Sequence, residues 1–419
     1  MPGHFVVTQG RRHEVALEQT GLGGGEGNIY RVRNFQGCVA KIYHAAGTLP
    51  PDRAKLEAMI DKPPRLTRLV ISGTGQVAGA QPRDLSAMGG TVVLPLIAWP
   101  THLVEDAHGK CVGFLMPEIP IDRTVPLTKY MARSTMRSLS EDDRGLPRRI
   151  QICRNLAAMV AEIHQQKHFI VDLKAQNILV YKEQGIVCLV DADSFSIAPK
   201  RPGEDRYAAS AFTPEYLAAE LLRNELPPSA VINDTQDRFA LAALMYQVLN
   251  YGFHPFQGTP KFQVNEWNIA LSIREGLYAN GLTPSEFVAP SPGSSHDCWD
   301  VETRKLFDRA FTASPSKRPT AMDWRNHFDA LQEPRVRALV PCDYLPSAGH
   351  HRHFAGLPCP ECRREGKRLQ QAACPPVRPP TLAGTETYVD PGRSAPATRT
   401  VQSPRSGSKG WLSRLLRSG

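Results

Sequence analysis

Two apolar runs near the middle of the chain are interrupted by polar residues whose types and spacing suit one chemistry. Asp172, Lys174 and Asn177 lie within Ile170-Val171-Asp172-Leu173-Lys174-Ala175-Gln176-Asn177-Ile178-Leu179-Val180, and Asp191 follows Val187-Cys188-Leu189-Val190. Transfer of a phosphoryl group needs a carboxylate to orient the attacking hydroxyl, a cation near the γ-phosphate, and hard oxygen ligands for magnesium. These four residues supply all of them, with Asn177 five positions after Asp172 and Asp191 nineteen after it. An unpaired carboxylate inside strand-forming apolar sequence is costly to bury, so Asp172 and Asp191 each require a partner or a metal. Two turn aspartates capping a hairpin explain each residue alone, but not their joint spacing with Lys41.

Upstream, Gly21-Leu22-Gly23-Gly24-Gly25-Glu26-Gly27-Asn28 lies between two strand-like runs. Gly23, Gly24, Gly25 and Gly27 lack side chains, so backbone N–H groups can approach a phosphate. Taken alone, a glycine-rich hairpin without a ligand explains the segment as well. Lys41 follows Gly27 by 14 residues, on the next strand, where its amine can neutralise phosphates beneath the loop. A helix is expected over Arg53 to Ile60, and Glu57 on it is read as the partner that fixes Lys41, against the plainer reading of an exposed helix glutamate.

These residues need elements to position them. Short β-type runs cover Phe5-Val6-Val7, Ile29 to Val32, Cys38 to Tyr43, Thr91 to Leu96 and Cys111 to Met116. From Arg148 the apolar spacing becomes helical, at Ile152, Leu156, Met159, Val160 and Ile163, and again from Phe239 to Val248. A strand-rich lobe followed by a helical one, joined near Pro117-Glu118-Ile119, gives an α+β layout with a cleft between lobes. The chain has 419 residues and is 41% hydrophobic, enough for a buried core. Its formal charge is +9, yet residues 363–419 carry 11 Lys and Arg against 3 Asp and Glu, which leaves 39 against 38 for the rest. The ordered part thus offers no electrostatic case for nucleic acid. No apolar run reaches the ~18 residues of a membrane span, and the N-terminus has no apolar signal region. Nine scattered cysteines in a chain of this size point to the reducing cytoplasm rather than to disulfides.

The central residues resemble the catalytic loop and metal-binding segment of protein kinases, and further matches come in the same order along the chain. Thr213-Pro214-Glu215-Tyr216-Leu217-Ala218-Ala219-Glu220 resembles the end of a kinase activation segment. Asp237-Arg238-Phe239-Ala240-Leu241 resembles the start of the central buried helix, His254-Pro255-Phe256 the loop after it, and Lys317-Arg318-Pro319-Thr320 the late arginine that pairs with the segment's glutamate, here Glu220. The resemblance covers residues 15–332 and implies a two-lobed kinase fold. ATP is then held by the glycine loop and Lys41, with Glu118 at the lobe junction. Mg²⁺ or Mn²⁺ sits on Asp191 and Asn177, Asp172 orients the acceptor hydroxyl, and Thr213 helps to seat the acceptor near Lys174. Three departures stand out. Ile170-Val171 replaces the usual His-Arg, so no arginine waits there for a phosphorylated activation segment. Asp191-Ala192-Asp193 replaces Asp-Phe-Gly, with Asp193 read as a further magnesium ligand or a cap. Leu22 occupies the first loop-glycine position. Asp-x-Asp-Ser-Phe with a cysteine-rich appendage is similar to a bacterial group of kinase-like proteins that often accompany a von Willebrand factor A-type protein and a metal-dependent Ser/Thr phosphatase.

In the appendage, Cys342, then His350, His351 and His353, then Cys359-Pro360-Glu361-Cys362 have metal-ligand spacing. Three thiolates and one imidazole make a closed structural zinc site, preferred over free thiols, with His351 chosen among the histidines and Cys374 a substitute. A docking or folding role is favoured over DNA binding. Beyond about Pro375 the composition predicts disorder. Thr387, with Asp390 three residues on, suits an arginine-lined phosphopeptide reader once phosphorylated. Trp411, Leu412, Leu415 and Leu416 can line one face of a short helix, against a frayed terminus. The expected organisation is a kinase-like domain over 1–332 (lobes 5–118 and 119–332), a zinc module over 333–374 and a basic tail over 375–419. The expected function is Ser/Thr phosphorylation of a protein substrate in bacterial signalling. A pseudokinase scaffold is the alternative, and a small-molecule kinase, which usually lacks the Thr213 to Glu220 segment, comes third.

Overall fold

The computed structural model of the chain describes residues 3–8, 11–44, 52–71, 77–79, 92–132, 138–223, 233–345, 347–349 and 351–364. The first lobe contains strands β1 (His4–Thr8), β2 (Arg11–Val15), β3 (Leu17–Gly23), β4 (Gly27–Val32) and β5 (Cys38–Tyr43), then helix α1 (Arg53–Asp61). It continues with β6 (Arg68–Ile71), β7 (Val77–Gly79), β8 (Val92–Pro95), β9 (His102–Glu105) and β10 (Cys111–Pro117). Seven strands pair antiparallel in the order β2-β1-β9-β10-β5-β4-β3, and β7-β6-β8 form a second sheet. In β5, Ala40 packs with Val6, Val15, Val32, Val104 and Leu115 on one face of the large sheet. The two-residue period of a strand sends Val39 and Lys41 to the opposite face, toward the second lobe. Strand β2 has no counterpart in the sequence reading, and β3 enters it only as the unnamed run before the glycine turn. Their sequences, Arg-Arg-His-Glu-Val and Leu-Glu-Gln-Thr-Gly-Leu-Gly, are largely exposed and lack the apolar alternation that marks a half-buried strand.

The second lobe contains β11 (Thr124–Pro126), α2 (Glu141–Arg144), α3 (Leu146–Gln165), β12 (Ile178–Tyr181), β13 (Val187–Leu189), α4 (Ala219–Arg223) and α5 (Asp234–Leu249). After these come β14 (Gly258–Pro260), α6 (Ile269–Arg274), β15 (Val288–Pro290), α7 (Val301–Thr312) and α8 (Ala321–Gln332). Helix α5 is buried nearly all round, with only Gln247 partly exposed between Phe239 and Leu249. It forms the axis of one core that runs from Leu56 and Met59 of α1 through Trp99, Leu156, Tyr246, Phe307 and Trp324 to Phe354. The appendage is a hairpin, β16 (Leu339–Pro341) with β17 (Arg352–Phe354), and a short helix, α9 (Pro360–Arg364). Thr91, His350, Cys374, Thr387 and the 411–419 segment lie outside the described residues. No helix among the described residues is long and apolar enough to cross a membrane.

Candidate active site

A cleft of about 960 Å³ opens between the lobes, lined by the β3–β4 glycine turn, Val39, Lys41, Met116, Glu118 and, from below, Leu179 and Asp191. The turn closes with Gly24 N–H donating to Gly27 O at 2.9 Å. Gly27 packs so closely on β5 that a Cβ there would lie 2.5 Å from Ile42 O, whereas one at Gly24 or Gly25 would meet nothing within 4 Å. The first glycine therefore permits strand packing, and the other two leave the turn open toward the cleft. Glu118 lines the cleft, its N–H donating to Gly37 O (2.8 Å) and its carboxylate 3.3 Å from Arg31.

Lys41 Nζ lies 2.8 Å from Asp191 Oδ1, 2.7 Å from Asp193 Oδ2 and 3.4 Å from Glu26. Burial pulls its ammonium down, but Asp193 and Asp191 outweigh it and hold it above the ordinary lysine value. Asp191 adopts a left-handed backbone (φ 61°, ψ 39°) that starts the turn over Ala192–Ser194. Its side chain is 39% exposed toward the cleft, whereas that of Asp193 is 4% exposed and also accepts the Tyr43 hydroxyl at 2.6 Å.

Asp172, Lys174 and Thr213 form one cluster. Lys174 Nζ donates to Asp172 Oδ2, Thr213 Oγ1 donates to Asp172 Oδ1 at 2.6 Å, and Lys174 reaches Thr213 Oγ1 at 3.4 Å. The loop is fixed from below by Asp237, whose carboxylate accepts Ile170 N–H (2.8 Å), Val171 N–H (2.7 Å) and a contact from His164 (2.9 Å). Those bonds hold β-branched Val171 at φ 67°, a conformation such residues rarely adopt. Asn177 accepts Val190 N–H on its backbone carbonyl (2.9 Å), and its carboxamide bonds to no described residue. The Asn177 carboxamide and the partly exposed Asp191 carboxylate are hard oxygen donors of the kind magnesium takes. The carboxylates of Glu26, Asp191 and Asp193 also lie within 4.8 Å of one another.

Glu57 is not the partner of Lys41. It pairs with Arg53 (2.9 Å) and lies 3.6 Å from Lys200, because helix periodicity places it with Arg53 and Asp61. The face that carries Leu56 and Met59 inward carries Lys55 as well. Sequence reasoning missed Lys55, Tyr43 and the role of Asp237. The phase of Leu56 and Met59 was the available signal for Lys55; Asp237 and Tyr43 gave none, since their partners are remote in sequence.

A second constellation lies in the appendage. Cys342, His351, Cys359 and Cys362 are all buried, and their ligand atoms lie within 4.8 Å of one another. Cys362 Sγ is 3.5 Å from both Cys342 Sγ and His351 Nδ1. His353 turns its Nδ1 to Phe354 O instead, at 2.9 Å.

Against known families, residues 124–328 match the protein kinase domain. Residues 124–328 are therefore read as a protein kinase domain. Protein kinase YegI of Escherichia coli strain K12 is 27% identical over 352 residues, 81% of this chain and 47% of that protein. Its counterpart in E. coli O157:H7 is 28% identical over 333 residues, 76% of this chain and 45% of that protein. The chain thus spans about half the length of the curated relatives it matches. Within the kinase domain, Arg318 grips Glu220 through two bonds, Nη1–Oε1 at 2.6 Å and Nη2–Oε2 at 2.8 Å, the planar fork geometry of the strongest charge-assisted pairs. Burial raises the Glu220 carboxyl, but Arg318 outweighs it and holds the group below its ordinary value.

Proposed function

We propose that this chain is an ATP-dependent protein phosphotransferase that acts on Ser/Thr hydroxyls in a bacterial signalling system. The observation that carries the reading is that Lys41 meets Asp191 in the cleft while Asp172, Lys174 and Thr213 bond to one another, the bond from Val190 N–H to Asn177 O joining the two segments. Asp172 accepts the hydrogen bond of the acceptor hydroxyl and orients it for in-line attack, and Lys174 carries positive charge to the phosphoryl oxygens. Lys41 and the open glycine turn hold the nucleotide phosphates. Magnesium on Asp191 and Asn177, when bound, neutralises charge on those phosphates. Zinc on Cys342, His351, Cys359 and Cys362 is structural, since four protein ligands close its coordination. The partners that the resemblance implies, a von Willebrand factor A-type protein and a metal-dependent phosphatase, belong to the same proposal, as does the phosphopeptide reader that the tail residues Thr387 and Asp390 suit.

The test is phosphate transfer from labelled ATP with Mg²⁺ or Mn²⁺ to the chain itself and to candidate proteins, followed by mapping of the modified residue. Asp172→Asn and Lys41→Met should each lower the rate by roughly 10²–10⁴-fold. ATP binding without transfer under any condition would move the chain to the scaffold reading.

A further inference from the structure

Lys41 needs a fixed carboxylate to hold its amine where phosphates will bind, and the described residues offer three sources: Glu26 beside the glycine turn, which is 3.4 Å away and partly exposed, helix α1, or the turn after β13. On α1 the only nearby glutamate, Glu57, faces Arg53 and Lys200. The inward position is taken by Lys55, a like charge whose Nζ donates to Ala208 O at 2.9 Å. Burial pushes the Lys55 ammonium down to about 8, with Asp193, Asp52 and Glu26 offsetting this in part and Lys41 adding to it. The helix therefore presents repulsion to Lys41, not a partner.

The turn presents the opposite. Ser194 bonds Asp191 O through both its N–H (3.2 Å) and its Oγ (2.8 Å), and Phe195 is locked in the core against Trp99. Just before them, Asp193 lies against β5, where its Oδ2 receives both Lys41 Nζ and Tyr43 Oη. Lys41 and Tyr43 share a face of β5, two residues apart, so one carboxylate spans both. Asp193 Oδ2 is thereby committed to donors of the protein, while its Oδ1 is buried without a partner among the described residues.

Resting on the phosphotransfer reading above, we propose that Asp193 is the positioning residue for Lys41, in place of a carboxylate on α1. The Asp-x-Asp segment then does two tasks: Asp191 faces the cleft and Asp193 anchors the lysine from behind. The anchor ties β5 of the first lobe directly to the second lobe, and Lys41 does not depend on the rotation of α1.

The experiment compares Asp193→Asn, Glu57→Gln and the double variant Lys55→Glu/Asp193→Asn in the full chain, by transfer rate and by melting midpoint, each also in a Lys41→Met background. Asp193→Asn should lower kcat by about 10²-fold and leave the KM for ATP much less affected. Glu57→Gln should stay within about twofold of wild type, and the double variant should regain at least about tenfold by moving the carboxylate to α1. In melting, Asp193→Asn should cost far less once Lys41 is Met, whereas Glu57→Gln should cost the same in both backgrounds. Equal losses for Glu57→Gln and Asp193→Asn, or additive melting shifts for Lys41 and Asp193, would overturn the anchor. A wild-type chain that transfers nothing sinks the phosphotransfer reading alone, and the melting comparison still decides the anchor. If Asp193→Asn does not fold, adding Lys41→Met should restore folding by removing the orphaned cation; failure of that pair as well sinks the proposal.

Discussion

Lys55 shows how much a single buried charge shapes this site. Its folded-state value of about 8 lies below that of an exposed lysine, 10.5. Below pH 8 the folded chain carries the full cost of a protonated, buried amine. Between pH 8 and 10.5 the unfolded chain binds more protons than the folded one, so stability should rise with pH across that window. Lys55→Met removes the group and its slope. Its stabilisation relative to wild type should therefore be largest near pH 7 and shrink toward pH 10.5, as read from paired melting curves. A difference that stays constant with pH would mean that Lys55 is not held in a depressed state. The same residue marks the limit of the sequence reading. Asp172, Lys174, Asn177 and Asp191 were legible because their spacing alone selects one chemistry. The partner of Lys41 was not, because a carboxylate 152 positions away supplies it.

The appendage is the element whose chemistry was most legible and whose placement was least so. Cys-x-x-Cys follows from spacing, whereas His351 was a choice among three histidines and the docking contact gave no signal. Glu361, between the two cysteines, is fully buried. Its Oε1 accepts Tyr251 Oη and its Oε2 accepts Arg364 Nη2 at 2.8 Å, while Tyr251, just after α5, stacks on Arg149 with the guanidinium 4.1 Å from the ring centroid. Arg149 in turn donates to Tyr130 O at 2.8 Å and to Val248 O. The metal-ligand loop is thus wired to the core of the kinase domain, with Phe354 in the same apolar cluster. On the proposed zinc reading, metal binding and folding are one equilibrium. One zinc per chain is expected by elemental analysis. Stripping it with a strong chelator, or Cys359→Ser, should lower the melting midpoint of the whole domain in one transition. Two separate transitions, with the larger one unmoved, would show the appendage to be independent of the domain it sits on.

Across the whole molecule, the elements that frame the cleft are joined by buried neutral histidines. His168 Nε2 reaches Lys62 O, just past α1, at 2.9 Å, and its Nδ1 accepts Ala198 N–H at 3.1 Å. His254 Nε2 reaches Glu215 O in the activation segment at 3.1 Å, and its Nδ1 accepts Phe256 N–H at 3.2 Å. In both rings one nitrogen must donate and the other accept, which is the neutral imidazole. A second proton would set N–H against N–H in a dry site. Burial pushes His168 down to about 4 and His254 to about 3, and His296, which is partly buried, to about 4. For a base with a folded value below its unfolded 6.5, stabilisation is complete above pH 6.5 and is lost as pH falls toward the folded value. The carboxylates lowered by ion pairs, such as Glu220, act only further down, below about pH 4.5. The melting midpoint should therefore be level from pH 8 to 6.5 with respect to these groups and fall steeply between 6.5 and 4.5. His168→Gln should show a smaller fall over that window than wild type, whatever its cost at pH 8. A wild-type midpoint unchanged at pH 4.5 would mean that these rings are not held neutral, and that acid leaves the links between α1, the activation segment and the second lobe intact.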